Sequence, residues 1–103
     1  MIVYELRHTV YTWEDCDTNV YTLIFETEED AIEYLETKKM DLVDEYCKEL
    51  NLPFSLNVLH QHLSQDDGTY SDITDEKTYF YVEIEEYGFD RLEIIKKEVL
   101  RFN

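Results

Sequence analysis

One proline and two glycines in 103 residues leave the chain almost without breakers. Most of it can therefore enter regular structure, and a glycine-rich loop of the phosphate-cradling or dinucleotide type has little to be built from. Cysteine is equally scarce: Cys16 and Cys47 stand far apart, form no CxxC pair and cannot make a disulfide framework. Basic residues are few, nine Lys and Arg against 25 Asp and Glu, for a formal net charge of −16. Like-sign repulsion disfavours direct binding to a nucleic-acid backbone or to an anionic membrane, and favours a basic partner surface or a cation. No apolar run approaches the ~18 residues of a membrane span. Met1 leads straight into the alternating Ile2-Val3-Tyr4-Glu5-Leu6-Arg7, not into a secretory signal, so a cytoplasmic location is expected.

What is present is ample for folding. Apolar residues make up 44% and aromatics 15%, with nine Tyr and five Phe, a composition that disordered chains lack. The length is that of a single domain over 1–103, with no internal repeat, low-complexity tract or linker. Residues 2–12 alternate, with Ile2, Tyr4, Leu6, His8 and Val10 on one face. After the polar turn around Glu14, Asp15, Cys16 and Asp17, Val20–Glu26 reads as a second strand, so a hairpin is predicted. Thr27 is a helix N-cap, followed by Glu28, Glu29 and Asp30 where carboxylates meet the positive helix end. Ala31, Ile32, Leu35, Leu42, Val43, Tyr46 and Leu50 then form an apolar stripe, with Cys47 a buried free thiol. Lys39 falls inside that stripe. Either its stem lies on apolar surface with the ammonium in water, or the helix breaks near Thr37; a continuous or slightly kinked helix is favoured.

Pro53 ends the helix, 54–63 suggests a short second one, and 65–72 reads as a polar loop. Lys77–Tyr87 is predicted as a strand with Phe80, Val82 and Ile84 inward. Beyond Gly88, Asp90 can cap a last helix carrying Leu92, Ile95, Val99 and Phe102; the β-branched Ile94, Ile95 and Val99 keep a strand as the alternative. The expected fold is α+β: a small antiparallel sheet of about three strands packed against a long amphipathic helix, with a C-terminal helix.

The charge is localised. Residues 1–37 hold ten acids and one base, and 66–90 nine acids and one base, whereas 91–103 hold two acids and four bases. If the third strand joins the hairpin, the helix covers the face lined by Leu6, Phe25, Phe80 and Ile84. The other face then presents Tyr79, Tyr81, Glu83 and Glu85 with Tyr11 and Glu5. Carboxylates steer a basic partner and Tyr supplies contact area, although a solvated face of cross-strand tyrosine pairs has the same pattern. The candidate partner-binding residues are Glu29, Asp30, Glu33, Asp41 and Asp44 on the helix, and Tyr79, Tyr81, Glu83 and Glu85 on the strand.

Catalytic chemistry is not expected. His60 and His62 diverge by ~200° on a helix, and no spacing fixes further metal ligands. The acidic loop from Asp66 has its glycine third where a calcium loop needs it sixth. Glu83 and Glu85 form a carboxylate pair without an apolar pocket to raise one pKa, and His8 reads as a satisfied core histidine. There is no GxSxG, Walker-type or Cys–His signature. No cofactor is implied.

In general character the chain resembles small acidic inhibitor proteins encoded by bacteriophages and mobile elements, of the anti-CRISPR, anti-restriction and DNA-glycosylase-inhibitor type. The likeness rests on the short hairpin (Val3–Trp13, Val20–Glu26), the acidic helix start Thr27-Glu28-Glu29-Asp30, and the Tyr/Glu-rich Thr78–Tyr87. It implies a DNA mimic acting in the host cytoplasm, whose carboxylates occupy phosphate positions on a nucleic-acid-handling enzyme. The basic tail of Arg91, Lys96, Lys97 and Arg101 departs from that pattern. A structural or assembly protein, acting through self-association or other subunits, is the alternative.

Overall fold

The computed structural model describes residues 1–65, 71–85 and 87–100. Five strands and two helices follow one another as β1 (Ile2–Thr12), β2 (Asp17–Phe25), α1 (Glu28–Glu49), α2 (Leu56–Ser64), β3 (Ser71–Glu76), β4 (Tyr79–Ile84) and β5 (Gly88–Glu98). The strands form one antiparallel sheet in the order β2-β1-β5-β4-β3. The fold is α+β, but two expectations are corrected. The sheet has five strands instead of about three, and the segment after Gly88 is a strand and not a helix.

The physical reason lies in competing periodicities. Leu92, Ile95 and Val99 sit at helical spacing, yet Asp90, Leu92 and Ile94 alternate with Phe89, Arg91 and Glu93. As a strand, β5 fills the middle of the sheet, pairing with β1 from Ile2↔Glu98 to Thr12↔Gly88 and with β4 from Tyr79↔Glu93 to Ile84↔Gly88. A central position satisfies its backbone on both sides and rewards β-branched residues, which a helix does not. Strand β3 was hidden for the opposite reason. Ser71–Glu76 carries a single apolar residue, Ile73, and reads as loop; at a sheet edge, hydrogen-bonded only to β4 through the two-residue Lys77-Thr78 turn, so polar a strand is tolerated. Residues 66–70 of the expected loop, and Arg101 and Phe102, lie outside the described residues.

The helices form as their caps dictate. Thr27 is extended and accepts from the Asp30 N–H at 3.2 Å, which satisfies one of the first-turn donors. The far end closes on Asn51 in the left-handed region (φ 57), with the Leu52 N–H reaching Cys47 O at 2.8 Å before Pro53. Ser55 caps α2 by accepting from Val58 at 3.3 Å.

Both helices contribute to one core on one side of the sheet. Leu35, Leu42, Val43, Tyr46 and Cys47 of α1 and Leu59 and Leu63 of α2 pack with Leu6, Phe80, Val82 and Leu92 of the strands. α1 runs unbroken through Lys39, whose buried ammonium meets Glu36 at 2.7 Å and Asp75 of β3 at 3.1 Å. Burial opposes that charge, but the hydrogen bonds to Glu36 and Asp75 outweigh it and leave the Lys39 pKa raised. The stem thus joins the core and its charge is met by carboxylates instead of water. Among the described residues, no helix is long and apolar enough to cross a membrane.

Candidate interaction surfaces

A two-layer fold divides the acidic residues between opposite sides of the molecule. Register places Tyr4, Leu6 and His8 of β1 with Phe25, Leu23 and Tyr21 of β2 and Ile94 and Leu92 of β5 on the helix-covered face. Glu5 and Arg7, Ile95 and Glu93, and on β4 Tyr79, Tyr81 and Glu83 occupy the open face. Glu29, Asp30, Glu33, Asp41 and Asp44 are on α1, so a partner lying against the outward side of α1 does not reach the strand residues. Glu85 follows β4 in the turn towards β5.

The open face is mixed in sign. Glu5 is buried between two cations, Arg7 at 2.8 Å and Lys97 at 3.0 Å. The Lys97 hydrogen bond, helped by Arg7, outweighs the effect of burial and lowers the Glu5 pKa. Arg91 lies 3.9 Å from Glu93, and Tyr81 donates to Glu83 at 2.8 Å. Aromatic rings link three strands here: Tyr11 stacks on Phe89 at 5.6 Å, and Phe89 meets Tyr81 at 5.6 Å. Cross-strand pairs of this kind stabilise a sheet by roughly 0.2–1 kcal/mol each. Arg91 and Lys97 of β5 thus stand among the carboxylates of this face.

The outward side of α1 differs. Glu29, Glu33, Asp41, Glu45 and Glu49 are exposed and succeed one another at steps of four residues, with Thr37 filling the one gap. Steps of four form a ridge on a helix and rise ~6 Å each, so the row slants across the outward side over ~30 Å. No base belongs to it. Of the three helix lysines, Lys39 turns inward, Lys48 pairs with Asp44 at 3.0 Å so that Asp44 is partly neutralised, and Lys38, half-buried, borders the same hollow as Asp41 and Glu45. That hollow, of about 260 Å³, is also lined by Val10, Tyr87 and Asp90.

Beneath that hollow is a polar tie that the sequence did not reveal. Asp90 Oδ1 lies 2.7 Å from His8 Nε2, and Tyr46 donates to Asp90 Oδ2 at 2.7 Å. Reading 90 as a helix cap concealed it; as the inward neighbour of Leu92 on a strand, Asp90 had to find partners. The group links β1, β5 and α1, and His8, half-buried at the rim of this hollow and of a groove beside β2, is satisfied by a carboxylate. His60 and His62 are exposed on α2, and no cluster of three or more metal-ligating side chains occurs among the described residues.

The remaining surface of note is β2. It is an edge strand, exposed on both faces, with Val20 at 54%, Tyr21 at 60%, Leu23 at 44% and Ile24 at 59% exposure. A groove of about 650 Å³ runs between it and α1, lined by Leu6, His8, Tyr21, Leu23, Tyr34 and Lys38 among others. No family model matches this chain, no curated protein matches its sequence, and no solved structure matches its fold.

Proposed function

We propose that this protein is a non-enzymatic binding module that presents the carboxylate row of α1 to a basic protein surface, competing there with nucleic acid. The observation that carries this reading is the succession Glu29, Glu33, Asp41, Glu45 and Glu49, exposed, in steps of four with one gap at Thr37, and with no base on the ridge itself. Duplex DNA sets phosphates ~3.4 Å apart along the axis on each strand. A step of ~6 Å on a helix therefore approximates every second phosphate of one strand. Lysines and arginines arranged to follow a nucleic-acid backbone would meet a carboxylate at roughly alternate contacts. The net charge of −16 speeds encounter with such a surface.

The test is displacement. Nucleic-acid-binding proteins from a cell lysate are loaded on immobilised duplex DNA and challenged with the purified protein at low salt. Wild type is expected to release a discrete subset, identified by mass spectrometry, and to lose that effect at high salt. The combined variant Glu33→Gln, Asp41→Asn, Glu45→Gln should keep its circular dichroism and release none. No release by wild type, or equal release by the variant, rejects the proposal.

A further inference from the structure

The two edges of the sheet are built differently. β3 is six residues long and carries Asp72, Asp75 and Glu76, the short, charged form that discourages strand addition. β2 has nine residues, and Thr18–Phe25 contains no charge in a chain of net −16. It has no proline, no lysine and no break in its pairing with β1 from Tyr4↔Phe25 to Thr12↔Asp17. Val20 and Ile24 on one face and Tyr21 and Leu23 on the other are exposed, and only Phe25 at the end of the strand packs against the core.

The direction of its free backbone groups follows from the ladder. Met1 and Val99 exchange backbone bonds at 2.7 and 3.3 Å, and the Trp13 N–H bonds to Tyr87 O at 3.2 Å. Odd-numbered residues of β1 therefore face β5 and even-numbered ones face β2. By register their β2 partners are Asn19, Tyr21 and Leu23. Thr18, Val20, Thr22 and Ile24 are left with N–H and C=O turned outward.

We propose that β2 is a dimerisation edge, pairing antiparallel with β2 of a second copy about a two-fold axis at Tyr21. This register opposes Tyr21 to its own copy, Val20 to Thr22 and Thr18 to Ile24, and it uses the uncharged run from Thr18 to Ile24. Four outward residues on each chain then supply about eight interchain hydrogen bonds. The product is one continuous ten-stranded sheet with the helices of both copies on the same side. The second copy is the occupant because the joint is self-complementary and uncharged. Two bodies of like charge can meet closely only where neither presents that charge, whereas a basic partner would be drawn to α1. The surface is separate from the α1 row, so dimerisation and partner binding succeed or fail independently.

Sedimentation velocity of the full chain across micromolar concentrations tests this. Wild type is expected at twice the 12.5 kDa chain mass, with association tightening as salt rises, since screening relieves the mutual repulsion. Thr22→Pro deletes an outward N–H without touching the β1 ladder and should be monomeric with an unchanged circular dichroism spectrum. Register is read in a Cys16→Ser background. Tyr21→Cys, a non-hydrogen-bonded pair on the axis with Cα atoms ~4.5 Å apart, should cross-link to itself on oxidation, and Thr18→Cys should not. A wild type that stays monomeric at every salt leaves the edge to a strand of some other protein and overturns the proposal. So does a Thr22→Pro variant that dimerises as well as wild type, or cross-linking at Thr18→Cys in place of Tyr21→Cys.

Discussion

Tyr46 of the long helix donates its phenolic proton to Asp90 of the central strand across 2.7 Å, inside the contact between the two layers. Removing the hydroxyl while keeping the ring, by Tyr46→Phe, leaves that carboxylate oxygen without its buried donor. The expected loss is about 1–3 kcal/mol, read as a lower urea midpoint with an unchanged slope. Tyr46→Ala, which also empties a core position, should cost roughly 3–5 kcal/mol.

The same burial makes two tyrosines reluctant acids. Burial first, then the charge of Asp90, holds the Tyr46 phenol protonated far above the ordinary range. Burial and then the Glu45 carboxylate push Tyr87 from 10.0 up to about 12. Because the folded pKa exceeds the unfolded one, the native state binds more protons above pH 10 and stability falls as pH rises. Ultraviolet titration should show Tyr46 and Tyr87 still protonated at pH 11 in the folded protein and ionising only on unfolding or at higher pH. Ionisation of all nine tyrosines in one step below pH 11 would contradict the described burial.

At the acid end the controlling group on the open face is Glu5. Its folded pKa lies below the ordinary 4.5, chiefly through Lys97. Its stabilising contribution is therefore complete above pH 4.5 and lost as pH falls through the lowered value. Glu5→Gln should lower the melting temperature at pH 7, with the difference from wild type vanishing under strongly acidic conditions. Relief of overall repulsion as pH approaches the pI of about 4.3 acts on both proteins alike and cancels in that comparison.

Gly88 opens β5 at φ +134, and a Cβ built there would lie 1.9 Å from the Tyr11 carbonyl oxygen. Both the backbone angle and the space exclude a side chain. Gly88→Ala should cost more than about 2 kcal/mol, seen as a large fall in melting temperature, because either β1 or the start of β5 must move.

Much of the helical layer was legible in the sequence. Thr27, the acidic first turn and Pro53 bound α1, and Lys39 stays inside a continuous helix as its apolar stripe predicts, while its partner Asp75 comes from a strand that the sequence pattern does not signal. The first hairpin followed from alternation. What failed had physical causes. Leu92, Ile95 and Val99 satisfy a helical period while Asp90, Leu92 and Ile94 satisfy a period of two, and one sequence cannot say which the sheet will reward. Ser71–Glu76 has too few apolar residues to signal a strand, because an edge demands few. Of the row on α1, Glu29, Glu33 and Asp41 are among the partner-binding candidates read from the sequence, whereas Glu45 and Glu49 are not, and without them its spacing does not show. The separation of those residues from Tyr79, Tyr81 and Glu83 needed the layer arrangement itself.

The pairing of β1 with β5 has a bearing on how the chain is made. β1 is translated well before β5, its inner neighbour in the sheet, which arrives only after both helices and the three intervening strands. Until then the nascent hairpin is stranded with an unfilled side. Proteins dominated by such distant pairings fold slowly, and here the hydrophobic half of the sheet must wait for a segment rich in lysine and arginine to seal it.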